Sequence, residues 1–198
     1  MKNWITVAAA CGVLAAAASS SAQDAIMNSA ETINQDNFKF SGYPILELHD
    51  GEDETGFGAR AGYGFGRGFD VEAKLSFFDG VTYYGLDGEW WVHRADPDVS
   101  LSVGVHRLSF SEGEGDVVGL DTTILASDHI TKNLELYGGL RIAFEFPDND
   151  RASYQRMHLV PGIEYRLGKD LDFLAEVGIK LNDDSSSYVS AGLAYYIR

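Results

Sequence analysis

Three histidines, His49, His106 and His158, and three serines, Ser109, Ser111 and Ser153, are the side chains here best suited to nucleophilic or acid–base chemistry. A serine nucleophile needs a histidine base within hydrogen-bond reach and a carboxylate to orient that base. No local motif ties these residues into such a geometry. Histidines in polar, enclosed surroundings more often serve as hydrogen-bonded structural groups. No residue is therefore expected to be catalytic, cofactor-binding or metal-binding, and no cofactor is expected. A second chemistry is offered by Asp50, Glu52, Asp53 and Glu54, whose hard oxygens suit divalent cations. The run lacks EF-hand spacing, and carboxylates in a short loop are ordinarily just solvated.

The elements that must carry these groups are strands. From Phe38 nearly to the end, apolar residues recur at every second position. Ten segments can be read, and their apolar faces begin with Phe38, Phe40, Gly42, Pro44, Leu46 and Leu48. Further faces run Phe57 to Phe65, Phe69 to Phe77, Tyr84 to Val92, Val99 to Val105, Val118 to Ala126 and Leu134 to Phe146. The last three run Met157 to Tyr165, Leu171 to Leu181 and Val189 to Ile197. None of these faces carries a charge. The opposite phase carries Lys39, Glu47, Arg60, Asp70, Glu72, Lys74, Asp87, Glu89, Asp121, Glu135, Arg141, Glu145, Arg156, Glu164, Asp172, Glu176 and Lys180.

Alternation alone does not say which face is enclosed. A soluble periplasmic barrel or sandwich would turn the charges to water, whereas a membrane barrel turns the apolar face to lipid and the charges to its lumen. Glycine favours the membrane arrangement. The polar phase contains Gly58, Gly62, Gly64, Gly66, Gly85, Gly104, Gly119, Gly139, Gly162, Gly178 and Gly192. Glycine weakens a strand and adds nothing to a solvated face, but it makes room inside a crowded closed barrel. Length agrees, because about 11 residues at ~3.3 Å each, tilted ~40°, span about 25 Å of apolar band. Aromatic residues near segment ends, including Phe57, Phe65, Phe69, Phe77, Phe144, Phe146 and Tyr165, fit the girdles of a membrane interface.

The start of the chain reads as an export signal. Lys2 precedes an Ala-rich apolar run, and Ser20-Ser21-Ala22 suits cleavage before Gln23. Cys11 lies within this leader, where Ala8-Ala9-Ala10-Cys11 only loosely matches a lipidation site. The expected organisation is a signal peptide over 1–22, a short polar segment over 23–37 and a barrel over 38–198. Loss of Lys2 with the leader leaves 14 basic and 30 acidic residues, a net charge of −16, which argues against nucleic acid as a partner.

Turn signals fix the topology. Arg67-Gly68, Pro97-Asp98, Lys132-Asn133 and Lys169-Asp170 each precede a strand that opens apolar, polar, apolar. Their spacing is that of hairpins in an up-and-down meander. An even strand count places both chain ends on one side, the periplasm in such barrels. Pro44 and Pro161 sit within strand patterns and lack a ladder donor, so bulges or local register breaks are expected there.

With these features the sequence resembles the small outer-membrane β-barrel proteins of OmpA, OmpX or OmpW type. The final strand, Ser190-Ala191-Gly192-Leu193-Ala194-Tyr195-Tyr196-Ile197, resembles their C-terminal assembly signal, though Ile197-Arg198 stands where a terminal Phe is usual. The resemblance implies an all-β, closed antiparallel transmembrane barrel of about ten strands, with eight as the alternative. It also implies residence in the outer membrane after export, with the barrel-assembly machinery, outer-membrane lipid and lipopolysaccharide as partners. Divalent cations at the acidic outer loops would bridge to lipopolysaccharide phosphates. Inward Tyr83, Trp91, Tyr137, Tyr188 and Tyr196 join the charges in filling the lumen. The expected function is therefore an envelope-structural role or weak passive permeability. The alternatives are a narrow cation-preferring channel, an enzyme with a site at the rim, and a soluble periplasmic binding protein.

Overall fold

The computed structural model describes residues 23–49, 51, 53–111, 115–148 and 152–198. The leader, Asp50 and Glu52 lie outside the described residues. Ten strands follow in order: β1 (Phe38–Leu48), β2 (Glu54–Gly66), β3 (Phe69–Phe78), β4 (Val81–His93), β5 (Asp98–Phe110), β6 (Val117–His129), β7 (Leu134–Pro147), β8 (Tyr154–Arg166), β9 (Leu171–Lys180) and β10 (Ser187–Ile197). Each pairs antiparallel with its sequence neighbours, and β1 pairs with β10 to close the cylinder. Closure leaves no strand edge unpaired, which a bilayer requires.

The apolar stripe faces outward. Phe40, Phe57, Leu86, Val105, Leu120, Phe144, Ile179 and Leu193 are all exposed. Of the seventeen charged residues in the opposite phase, all but Glu164 and Lys180 are buried. This arrangement is the reverse of a soluble barrel, in which burial of apolar area drives folding. Around one end, Phe38, Tyr63, Phe65, Phe69 and Trp90 touch in sequence, with ring centroids 4.8–5.7 Å apart. These rings form one arc of an interfacial girdle.

Both prolines behave differently from the expectation of a bulge. The β1–β10 ladder skips Tyr43 and Pro44, then resumes at Ile45 opposite Ser190 in unchanged register. The β8–β9 ladder likewise skips Val160 and Pro161 and resumes at Gly162 opposite Glu176. Each proline keeps its pairing on the other side, Pro44 with Phe57 and Pro161 with Gly138. One missing donor is thus absorbed on one flank without a shift. The Ser190 hydroxyl helps by donating to the Pro44 carbonyl at 2.8 Å. True register shifts occur elsewhere, between Gly64 and Gly66 and between Trp91 and His93, close to the periplasmic turns. Gly66, Arg67 and Gly68 all have positive φ in the tight β2–β3 turn, a conformation that glycine adopts without strain.

Candidate functional site

The polar segment before β1 does not hang free at the periplasmic end. It runs up the inside of the barrel. Gln23, Asp24, Ala25, Ile26, Met27, Asn28, Ser29, Ala30, Thr32 and Ile33 are all buried. Its lower part is joined to the wall by backbone, with Asp36 N–H donating to the Gly64 carbonyl and Gly64 N–H donating to that of Asn37. Higher up, side chains of the wall take over. Asp70 accepts from Ile33 N–H at 2.6 Å, and the Ser127 hydroxyl from Ala30 N–H at 3.2 Å. Asn28 donates to Glu89 at 2.6 Å and accepts from Lys39 at 2.6 Å. Glu176 takes the N–H groups of Ile26 and Met27, each at 2.7 Å, and also the hydroxyls of Tyr137 and Tyr188. Above this, Asp24 accepts from Tyr43, Ser76 and Arg60, while Arg141 donates to its carbonyl.

A segment without secondary structure can lie here because its backbone groups find charged or hydroxyl partners, as buried backbone must. Small residues make the fit. A Cβ on Gly62 would strike Ile33, and one on Gly64 would strike the carbonyls of Ile33 and Asn34. Gly58, Gly162 and Gly178 do the same for the rings of Tyr43, Tyr137 and Tyr188. The inward glycines therefore seat the lumen's contents, as their phase in the sequence suggested.

The wall carries two charge clusters. In the outer half, His106 lies between Asp121 (Nδ1 to Oδ2, 2.6 Å) and Glu145 (Nε2 to Oε2, 3.0 Å), stacked on Tyr83. Arg141 reaches Asp121 at 2.9 Å, and Arg156 lies 3.5 Å from Glu145. On β3 and β4, Asp70 stands opposite Glu89 and Glu72 opposite Asp87. Arg60 pairs with Glu72 at 3.0 Å, and Lys74 pairs with Asp87. Asp70 Oδ1 and Asp87 Oδ1 have no hydrogen-bond partner among the described residues, and both carboxylates line a small polar cavity beside Asn28.

The histidines and serines singled out in the sequence do not assemble into one site. Carboxylates engage both nitrogens of His106, so it has no lone pair to take a serine proton. Ser111 donates to the Gly80 carbonyl, and Ser153 lies exposed in a loop. His158 Nε2 lies 2.9 Å from the Ser186 carbonyl. His49 instead meets a serine that sequence reasoning passed over. Ser186 Oγ is 3.0 Å from His49 Nδ1, and His49 Nε2 is 3.3 Å from Glu47 Oε2. The Glu47 hydrogen bond raises the His49 pKa, against the opposing effect of partial burial, and the charges of Glu47, Glu54 and Asp53 add to the rise. Gln23 closes this group from below. Its N–H donates to Glu47 at 2.9 Å and its side-chain amide to the Ser186 carbonyl at 2.8 Å.

Among the described residues, two groups of His and Glu bring ligand-capable atoms within 4.8 Å of one another, Glu47–His49–Glu54 at the outer rim and Glu31–His129–Glu135 at the periplasmic end. Of the acidic run, only Asp53 and Glu54 lie among the described residues.

Among solved structures, the chain is similar to the COG4313 outer membrane channel from Pseudomonas putida F1. The identity is 8% and the TM-score 0.59, with 89% of this chain and 100% of that chain covered. It is also similar to the Yersinia pestis outer membrane protein Ail at 16% identity and a TM-score of 0.43, covering 82% of this chain and 100% of that one. A third likeness is to the KdgM porin, at 12% identity and a TM-score of 0.46, covering 80% and 99%. No curated protein matches the sequence. The family described as outer membrane protein beta-barrel domain matches residues 6–196. That match spans nearly the whole chain, and with the outward apolar stripe and closed ten-strand cylinder it places this protein in the outer membrane protein beta-barrel family.

Proposed function

We propose that the protein is an envelope-structural barrel whose lumen is blocked by its own N-terminal segment, leaving at most weak passive permeability. The observation that carries this reading is the burial of residues 23–30, 32 and 33 against inward side chains of the barrel wall. Ten strands alone leave more interior than side chains readily fill, and the segment supplies the missing volume. Cleavage after Ala22 would free Gln23 to occupy the outer mouth. Export, insertion through the assembly machinery guided by Ser190–Ile197, and contact with lipopolysaccharide through cation-bridged acidic loops complete the proposal.

The experiment is planar-bilayer recording of the mature chain beside a variant lacking residues 23–36. The intact protein is expected to give no resolved openings and the deletion to give discrete steps. Steady conductance from the intact chain, unchanged by the deletion, would defeat the blocked-lumen reading. A narrow cation-preferring channel is the second reading, favoured by the excess of inward carboxylates over inward bases. Cation selectivity of the intact chain would establish it. Envelope fractionation with heat-modifiable gel mobility tests the export route.

A further inference from the structure

The outer mouth holds an arrangement that a structural barrel does not need. A hydroxyl, an imidazole and a carboxylate stand in line from two separate stretches of chain: Ser186 just before β10, and Glu47 and His49 at the end of β1 and just after it. With the proton on Nε2, the imidazole directs that proton at Glu47 and offers its Nδ1 lone pair to the Ser186 hydroxyl. This is the order of groups that activates a serine, recognised by geometry and not by position in the chain. Glu47 is fully buried, whereas His49 is partly open. The orienting carboxylate is thus sheltered and the base accessible.

We propose that Ser186, His49 and Glu47 form a nucleophile, base and orienting carboxylate that hydrolyse carboxylic esters entering the outer mouth. Ser186 is buried on the same inward side as Tyr188 and Ser190, so the ester arrives through the mouth and not from the lipid face. Ser186 Oγ attacks the acyl carbon as its proton passes to His49 Nδ1. The bond from acyl carbon to alcohol oxygen breaks, and the departing alcohol takes that proton. Water then attacks the acyl-serine, giving its proton to His49. The acid leaves and Ser186 regains its hydrogen. No oxidant, metal or cofactor enters this balance.

Gln23 is a positioning residue. It contacts Glu47 at one end of the line and Ser186 at the other, so the tip of the luminal segment holds both in place. The groups facing His49 are Glu47, Glu54, Asp53 and Ser186, and the carboxylates keep its imidazole protonated above its ordinary range. Reactivity should therefore rise with pH through a midpoint above 6.5.

The test uses the mature protein in detergent with EDTA present, so that no metal competes for His49. A fluorophosphonate probe and p-nitrophenyl butyrate are the reagents, and heat-modifiable mobility confirms folding of each variant. The expected result is covalent labelling at Ser186 and slow ester turnover. Both should fall at least tenfold in Ser186→Ala and His49→Asn. Glu47→Gln should move the pH midpoint downward, which a purely structural role would not do. Ser186→Cys keeps the side chain's shape and should alkylate with iodoacetamide faster than the Ser186→Cys, His49→Asn double variant. Absence of labelling in the folded wild type overturns the proposal, as does labelling that persists in Ser186→Ala or equal alkylation of the two cysteine variants. None of these results bears on conductance, so the blocked-lumen reading stands or falls separately.

Discussion

The two charge clusters of the lumen wall use the same chemistry and reach different ends. On β5 to β8, carboxylates alternate with cations: Arg141, Asp121, His106, Glu145 and Arg156 form a chain in which each charge meets an opposite one. On β3 and β4, carboxylates face carboxylates across the ladder, and three of their oxygens, Asp70 Oδ1, Glu72 Oε1 and Asp87 Oδ1, have no hydrogen-bond donor among the described residues. Like charges directly opposite weaken a sheet. The first cluster braces the wall. The second gives up wall stability to hold the luminal segment, because Asp70 and Glu89 are the groups that receive Ile33 N–H and Asn28.

The sharpest way to break this contrast is to remove a cation from the braced side. Arg141→Met should cost about 3–5 kcal/mol, because Asp121 then loses its guanidinium in a buried setting and the Asp24 carbonyl loses its donor. Urea unfolding in detergent micelles, followed by tryptophan fluorescence, measures it. A middle effect is expected where wall and segment meet. Glu176→Gln leaves four donors competing for one carbonyl oxygen, at about 1–3 kcal/mol. Amide exchange at Ile26 and Met27 should accelerate more than exchange in β5 and β6. The smallest change belongs to the overcharged side. Asp70→Asn keeps an acceptor for Ile33 N–H while removing the charge opposite Glu89, so it should be neutral or stabilising by up to about 1 kcal/mol. A loss as large as that at Arg141 would mean the two clusters do the same job.

The strands were legible because a barrel wall imposes a strict period of two, and Phe38 to Leu48 or Leu134 to Phe146 carry it without interruption. Inward glycines were legible for a related reason, since a residue type that weakens strands recurs in the polar phase, where a Cβ at Gly58, Gly162 or Gly178 would strike a luminal ring. The luminal segment was not legible. Residues 23–37 show no period, because their conformation is set by Glu176, Asp70 and Asp24's partners and not by their own alternation. The rim line of Ser186, His49 and Glu47 was hidden by distance along the chain. Ser186 and His49 are 137 residues apart in sequence, and only closure of β1 on β10 brings them together. The prolines misled in the other direction, because a two-sided ladder tolerates the loss of one donor.

The segment leaves β1 at the periplasmic end and finishes at the opposite opening. A tube can contain such a thread in two ways: the free end is hauled through a finished bore, or the last seam zips around a thread already laid along the axis. Since the wall's backbone, hydroxyls and charges moor the thread along its length, the second route makes residues 23–36 a mandrel on which the final hairpins are wound. Seam closure and lumen filling would then be one event.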